Sequence, residues 1–256
     1  MITFRYNNFK EIEKIFSIHG KDLAAVVMEP TRTIDPQPGF LERIRELTNQ
    51  NGAKLIFDEI SIGWRLCFGG AHLLYGVTPD MAVFAKTISN GFPMGAVIGN
   101  AATMEAAQNS FISSSYWTEG IGPAASLACI EKMKKLDIPA HLKKIGEYFI
   151  FCWEKIGEKH NVPILAGGRP ELVQIGFDHP KANSIMTLFT TRMLDKGFLA
   201  TSGFNPTWAH QKRHVDTYFV KADSVFKEIS ESEKNGDIDE RIKHQPKHTG
   251  FARLVN

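Results

Sequence analysis

An aspartate and a lysine in similar surroundings are the residues of this chain whose chemistry is most informative. Asp58 follows the short apolar run Leu55–Phe57, and Lys86 follows the apolar run Met81–Ala85. Runs this short, bounded by Gly, Pro and Asp, are typical of buried strands in a parallel sheet. Ligands of open α/β sheets bind just beyond the carboxyl ends of the strands. We therefore expect Asp58 and Lys86 to lie at one rim of a sheet, although they are 28 positions apart (86 − 58).

An amine and a carboxylate at one rim suit the cofactor pyridoxal phosphate (PLP). The amine can form a Schiff base with the cofactor's aldehyde, and the carboxylate can keep the ring nitrogen protonated. A protonated ring withdraws electrons, so a carbanion at the Cα of a substrate becomes accessible. The pair alone leaves a second interpretation open, because an Asp and a Lys also end strands in many α/β proteins without any catalytic role.

The residues around this pair form a series of spaced motifs. The first two are Phe57–Ile60 and Gly63–Arg65, and the others are Pro79–Asp80 and Asn90–Ala96, which flank Lys86. The series closely resembles class III (fold type I) PLP aminotransferases. Within that family it is most similar to the glutamate-1-semialdehyde 2,1-aminomutase branch.

The resemblance implies roles for three residues. Lys86 carries the Schiff base, Asp58 pairs with the pyridine nitrogen, and Ile60 packs against the face of the ring. The implied function is that of a PLP-dependent aminotransferase or aminomutase, which moves an amino group through Lys86. The substrate stays open, since glutamate-1-semialdehyde, an amino sugar or another amino/keto pair all fit the family.

A fourth candidate is Thr118, in the segment Thr118–Pro123. This segment resembles one in the family that opens a long helix with Thr, four residues and Pro. The resemblance implies that the Thr118 hydroxyl reaches a cofactor phosphate, typically one held by the partner subunit of a homodimer. A helix N-terminus with hydroxyl and N–H donors suits an anion. Thr is also a good helix N-cap, so that alternative stays open.

The order of apolar runs indicates an α/β fold. A strand at 23–28, an amphipathic helix at 40–49 and a strand at 54–58 predict a right-handed βαβ unit. The resemblance implies a fold type I PLP-dependent transferase. Residues 1–138 are then the C-terminal part of the large PLP-binding domain with its mainly parallel sheet, and residues 139–256 are a smaller C-terminal α+β domain.

Local patterns add more specific predictions for the second half of the chain. Asp137–Pro139 predicts a break between helices, and the next helix is expected to run from His141 to about His160. Phe198–Ala200 is predicted as a short strand, and Val215–Asn235 as the last long helix, with an apolar residue every three or four positions.

Composition narrows the class of protein. The 256 residues carry a formal net charge of +2, and no run of basic residues indicates a nucleic-acid surface. No apolar stretch reaches the ~18 residues of a membrane span, and the first residues do not resemble a secretory signal. The three cysteines have no metal-type spacing, so we expect no metal site and free thiols in a cytoplasmic protein.

The chain also departs from the family. It matches only the later part, so the N-terminal portion that supplies the phosphate cradle and the ring-stacking aromatic is expected to be absent. Ser61 stands where many family transaminases have a Gln that contacts the cofactor's phenolic oxygen. None of Arg32, Arg65 and Arg169 can be assigned to a substrate carboxylate, because each is also explained as a structural or surface cation.

Two other functions are compatible with parts of the sequence. The chain could be a truncated or split-gene segment that is inactive alone and complemented by a separate N-terminal polypeptide. The run Leu55–Glu59 also resembles a Walker B strand, but the phosphate-binding loop of such ATPases, Gly-x₄-Gly-Lys-Ser/Thr, is missing.

Glu29, directly before Pro30, has two interpretations. The resemblance to the aminotransferase family implies that it lies at the mouth of the active site, whereas the residue types alone indicate only a strand end.

Overall fold

A computed structural model describes residues 1–116, 118–242 and 245–248 of the chain. The chain divides into two compact units, which we call the N-terminal unit (Met1–Ala140) and the C-terminal unit (His141–Asn256). Among the described residues, every helix is too short or too polar to cross a lipid bilayer.

The N-terminal unit is built around a four-stranded sheet. Its helices are α1 (Phe9–His19), α2 (Phe40–Asn51), α3 (His72–Tyr75), α4 (Ala101–Met104) and α5 (Ile121–Lys135), and its strands are β1 (Ala25–Met28), β2 (Lys54–Asp58), β3 (Met81–Phe84) and β4 (Ala96–Gly99). The strand order is β1-β2-β3-β4. The first three strands are parallel, and β4 pairs with β3 in the antiparallel sense. The mainly parallel sheet is therefore confirmed, while β4 was not predicted.

The predicted βαβ unit has a clear local cause. α2 places apolar side chains at helical spacing toward the sheet, and Gly52 ends the helix with a φ of +72°. Glycine adopts that left-handed backbone without steric cost, so the chain can reverse into β2 within two residues.

The two faces of this sheet differ. Val26, Met28, Leu55 and Phe57 are buried with α1 and α2 in one apolar core. The opposite face carries Val27, which is 62% exposed. That face continues across the sheet through Ile56, Met81, Val83 and Val97; Val97 is 52% exposed, and the other three are half-buried. We call these five residues the open sheet face.

The C-terminal unit has an antiparallel sheet and its own core. Most of α6 (Ile138–His160) lies in it, followed by α7 (Ala182–Asp195), α8 (Lys212–Asn235) and α9 (Ile238–Arg241), with strands β5 (Ile164–Arg169), β6 (Leu172–Phe177) and β7 (Gly203–Phe204). The sheet order is β5-β6-β7. Trp153 is fully buried among aromatic rings of this core, including Phe189 and Phe226.

Some local predictions are wrong. Phe198–Ala200 is not a strand, and the short strand forms at Gly203–Phe204, where the backbone pairs with β6. The break at residues 137–139 is shorter than predicted, since α6 already begins at Ile138. Asp137 accepts a hydrogen bond from the Ala140 N–H at 3.2 Å. Pro139 lies in the first helical turn, where its missing N–H costs nothing.

Candidate active site

Lys86 lies just beyond β3, at the carboxyl end of the strand. It begins a short 3-10 turn, Lys86–Ile88, with the left-handed φ of +48°. This backbone conformation is sterically unfavourable for a residue with a Cβ atom, and strained residues of this kind concentrate at functional sites. The Nζ of Lys86 donates a hydrogen bond to the Ser61 Oγ at 2.8 Å. The backbone and the hydroxyl together set the position of this amine.

Asp58 is the last residue of β2, and its neighbour in the parallel register is Val83 of β3. One carboxylate oxygen, Oδ1, accepts a hydrogen bond from the Ile60 N–H at 2.9 Å. Asp58 and Lys86 therefore leave adjacent parallel strands at the same sheet edge. Neither has an ion-pair partner within the described ranges, which leaves both charges available to a ligand.

Glu29 shares the electrostatic environment of this edge. It follows β1 directly and is partly buried. Burial raises the pKa of Glu29 above its ordinary value; the negative charge of Asp58 adds to the effect, while Arg32 and Lys86 oppose it. The carboxyl ends of three neighbouring strands thus place Glu29, Asp58 and Lys86 within one another's field.

Glu59 follows Asp58 directly and helps to position the site, although the sequence predicts no separate role for it. Its side chain is 1% exposed. It accepts hydrogen bonds from the backbone N–H groups of Ala71 and His72 at 2.9 and 3.0 Å, and its Oε1 lies 2.8 Å from the His72 Nδ1. These bonds anchor the start of the turn that carries Ile60, a half-buried residue, and Ser61. The only sequence signal was an acid directly after a buried strand and Asp58.

Thr118 is not the N-cap residue of α5. It is exposed, and α5 begins three residues later with Gly120 at its N-cap position. The first N–H of the helix, that of Ile121, donates to the Glu119 Oε1 at 2.7 Å. The N-cap alternative for Thr118 is therefore wrong. The Glu119 carboxylate therefore occupies the first N–H of the helix, one of the donors that the sequence predicts for a phosphate.

The three arginines considered for a substrate carboxylate have different surroundings. Arg32 is exposed and lies 3.3 Å from the Glu29 Oε1. Arg65 donates from Nε to the Ser61 carbonyl oxygen at 2.8 Å, and burial lowers its pKa. Arg169 belongs to the C-terminal unit and lies 3.6 Å from the Glu171 Oε2. Only Arg32 and Arg65 belong to the same unit as Lys86.

The fold and this sheet edge are those of a transaminase-type α/β protein, and comparison with known proteins identifies the family. The family model described as "Aminotransferase class-III" matches residues 5–226. The chain therefore belongs to the class-III aminotransferase family, which confirms the family resemblance and the expected fold class.

Named relatives give the same result. The chain is 30% identical over 261 aligned positions to a glutamate-1-semialdehyde 2,1-aminomutase from Sulfurihydrogenibium sp. (strain YO3AOP1), covering 90% of this chain and 58% of that protein. It is 33% identical to a 3-aminobutyryl-CoA aminotransferase from Cloacimonas acidaminovorans (strain Evry), covering 73% and 47%.

A solved structure supports the fold. The FumI protein of Sphingopyxis sp. MTA144, in its PLP internal aldimine form, matches with a TM-score of 0.84 and 21% identity, over 91% of this chain and 58% of that one. The chain thus spans less than two thirds of the length of each of these three proteins.

Proposed function

We propose that this chain contributes the PLP-binding lysine to a class III aminotransferase or aminomutase, an enzyme that moves an amino group within or between small amino and keto substrates. The observation that carries the proposal is the placement of Lys86 and Asp58 at one carboxyl edge of parallel strands, with an amine held by Ser61 and a carboxylate without an ion-pair partner among the described residues. The family membership and the relatives support the reaction class. They also support pyridoxal phosphate as the cofactor.

The described residues fit this cofactor at two of its functional groups. An amine suits the aldehyde carbon, and an anionic carboxylate suits a protonated ring nitrogen. Pyridoxal phosphate, when bound, supplies an electron-withdrawing ring that stabilises negative charge on the substrate's Cα. Ile60, half-buried next to Asp58, is available to pack against one face of that ring.

In this proposal three residues of the chain act on the cofactor and the substrate. Lys86 would hold the cofactor's aldehyde carbon through Nζ, and its free amine would be the base and acid that moves a proton at the substrate's Cα. Asp58 keeps the ring oriented and its nitrogen protonated. Ser61 accepts a hydrogen bond from the free amine and holds it over the sheet edge.

The phosphate site and the assembly belong to the same proposal. We propose that Thr118 donates its hydroxyl to a cofactor phosphate across a homodimer of a cytoplasmic protein. Its exposed position before α5 leaves the hydroxyl available to another subunit. The Glu119 carboxylate on the Ile121 N–H is the nearest charge to consider, because its negative charge would repel a phosphate at this helix terminus.

The domain assignment is also a proposal. Residues 1–138 are the later part of the large PLP-binding domain, and residues 139–256 form the small C-terminal domain. The division of the chain into two compact units, each with its own sheet, supports this assignment.

The alternative function is that of a segment that works only with a further N-terminal polypeptide. Parallel sheets occur almost only with both faces covered. The open sheet face presents Val27 and Val97 to solvent, so a further layer of protein would bury apolar surface there. The relatives contain more sequence than this chain matches, so they supply a source for such a layer, whether on the same polypeptide or on a separate one.

The test is an absorption spectrum of the purified 256-residue chain with added pyridoxal phosphate, followed by borohydride reduction and peptide mapping. We expect a visible band from bound cofactor and a label on the peptide that contains Lys86. Lys86→Ala should lose both, while Lys54→Ala, at the opposite end of β2, should keep both. A label that survives in Lys86→Ala would refute the role of this residue.

The same experiment separates the two functions. If the chain alone is unlabelled, a polypeptide that corresponds to the N-terminal part of the Sulfurihydrogenibium relative is added. A label that appears only then supports the complemented segment. No label under either condition refutes both functions, because each of them requires a reactive Lys86.

Asp58→Asn tests the second residue in whichever assembly is labelled. We expect normal folding and loss of turnover, since an amide cannot keep the ring nitrogen protonated. The measurements are the far-UV circular dichroism spectrum and the rate of amino transfer. Turnover equal to that of the unchanged chain would contradict the proposed pairing.

A further inference from the structure

A second concave site lies entirely within the C-terminal unit. It is a cavity of about 140 Å³ at the start of α8. For comparison, an engineered apolar cavity of roughly 150 Å³ in another protein holds benzene. The cavity therefore has room for a ligand built on one six-membered ring.

The walls of the cavity are mostly aromatic. Phe149, Phe198 and Phe204 line it together with Val215. Phe149 and Phe204 stack with ring centroids 4.4 Å apart, so this part of the wall is well packed. Leu199, which is 89% exposed, stands at the edge. An apolar pocket with a few polar groups is the usual form of a small-molecule site.

Three residues with polar side chains, His210, His214 and Tyr218, also line the cavity. The Nδ1 of His210 accepts a hydrogen bond from the Thr207 N–H at 3.0 Å, and the Nδ1 of His214 accepts one from the Gln211 N–H at 3.1 Å. In a neutral imidazole the other nitrogen, Nε2, then carries the proton and is a donor. Neither Nε2–H has a hydrogen-bond partner in the described parts of the chain, and the same holds for the hydroxyl of Tyr218.

The protonation states follow from the surroundings. Burial lowers the pKa of His210, and the neighbouring His214 and His141 lower it further. Burial also raises the pKa of Tyr218, so its hydroxyl keeps its proton. The cavity thus offers O–H and N–H donors beside aromatic walls.

The local charges favour an anion at these donors. The cavity adjoins the N-terminus of the 24-residue helix α8, which carries partial positive charge. Lys212 and Arg213 occupy its first turn. Asp216 balances the charge of Lys212, because it accepts hydrogen bonds from the Lys212 Nζ at 3.1 Å and from the Tyr148 hydroxyl at 2.5 Å. Arg213 and the helix N-terminus therefore remain as the positive contributions near the cavity.

We propose that this cavity binds a small aromatic carboxylate, with its ring between the phenylalanines and its carboxylate on His210, His214 and Tyr218. Each group of the ligand then meets its chemical counterpart, because N–H and O–H donors form charge-assisted hydrogen bonds with a carboxylate. His214 is exposed and His210 and Tyr218 are half-buried, so the ligand would replace water at these donors. The site lies in the C-terminal unit and does not depend on Lys86 or on the proposed function.

The test titrates benzoate into the full chain and follows the ring signals of His210, His214 and Tyr218 by nuclear magnetic resonance. We expect saturable shifts with a dissociation constant on the order of 1 mM, as suits nine heavy atoms. Benzyl alcohol, which has the ring but no charge, should bind about fivefold more weakly. No shift of these signals well above that concentration, or equal binding of the two compounds, would overturn the proposal.

Two variants and one control complete the test. Tyr218→Phe removes only a hydroxyl without a described partner, so the fold should persist while benzoate binding weakens severalfold. Ala200→Phe adds a ring to the cavity wall and should abolish the shifts. Tyr116→Phe, at an exposed residue of the N-terminal unit, should leave binding unchanged. Undiminished binding in both Tyr218→Phe and Ala200→Phe would also overturn the proposal, provided their circular dichroism spectra match that of the unchanged chain.

Discussion

The two units of this protein differ in how the faces of their sheets are buried. The C-terminal unit has an antiparallel sheet whose core side carries Val173, Ile175 and Phe177, while Gln174 between them is exposed. Such a sheet needs cover on one face only. The N-terminal unit has a mainly parallel sheet that is covered on one face and apolar on the other. The C-terminal unit therefore completes its own core, whereas the N-terminal unit leaves apolar side chains of one sheet face exposed.

The largest expected effect is on the completed core of the C-terminal unit. Trp153 is fully buried, and its Nε1–H donates to the Leu165 carbonyl oxygen at 3.2 Å. Trp153→Ala should lower the free energy of unfolding by about 3–5 kcal/mol, because it removes this packing and leaves a cavity. Urea unfolding followed by far-UV circular dichroism measures the change.

Phe151→Ala on the same helix is the matched control. Its side chain is 52% exposed, so the expected loss is below about 1 kcal/mol. A similar loss for both variants would mean that the core of the C-terminal unit is not as closely packed as the structure indicates.

The next largest effect is expected at Asp80, which precedes β3 and binds residues of β2 and α2. Asp80 accepts a hydrogen bond from the Leu55 N–H at 2.8 Å and pairs with Arg45 at 2.8 Å. Burial alone would raise the pKa of Asp80, but these two interactions and a hydrogen bond from the Asn100 Nδ2 outweigh it and hold the pKa below the usual 3.8. Asp80→Asn should therefore cost about 1–3 kcal/mol at neutral pH.

The pH dependence gives the sign of this contribution. Because the folded pKa is lowered, the stabilisation is complete above the unfolded carboxyl value and is lost as the pH falls through the folded one. The difference between the unchanged chain and Asp80→Asn should thus shrink below about pH 4. Asp22→Asn, at an exposed residue, should show no such difference. A pH-independent gap for Asp80→Asn would contradict this account.

The smallest effect tests the open sheet face directly. Val26 and Val27 are neighbours on β1, but Val26 is 6% exposed and Val27 is 62% exposed. Val26→Thr should cost about 1–3 kcal/mol, because it buries a hydroxyl without an assigned partner. Val27→Thr should change the free energy of unfolding by less than about 0.5 kcal/mol. Equal losses would mean that both faces of the sheet are covered in solution.

Much of the fold could be predicted because its causes are local. The strand at residues 54–58 forms with the predicted bounds, and the last long helix ends at Asn235 as predicted, since each has a regular apolar pattern and a clear end signal. Strand β4 and strand β7 were not foreseen. Their few residues have little periodicity of their own, and they become strands through pairing with β3 and β6.

The candidate site divides in the same way. The residue types, order and spacing of Asp58, Lys86 and the motifs around them were enough to identify the family and to predict a shared sheet edge. The burial of Glu59 and the hydrogen bond from Lys86 to Ser61 depend on contacts between segments distant in the chain. The Glu119 carboxylate, rather than the Thr118 hydroxyl, accepts a hydrogen bond from the first N–H of α5, and this depends on the path of a single turn.

The sequence by itself was enough to identify the family, the parallel strands and the lysine–aspartate pair, because apolar runs and motif spacing are patterns of residues close together in the chain. Only the tertiary structure decided which sheet face stays exposed and which residues line the cavity of the C-terminal unit. Burial and cavity lining depend on segments brought together from far apart in the chain, so no local pattern contains them.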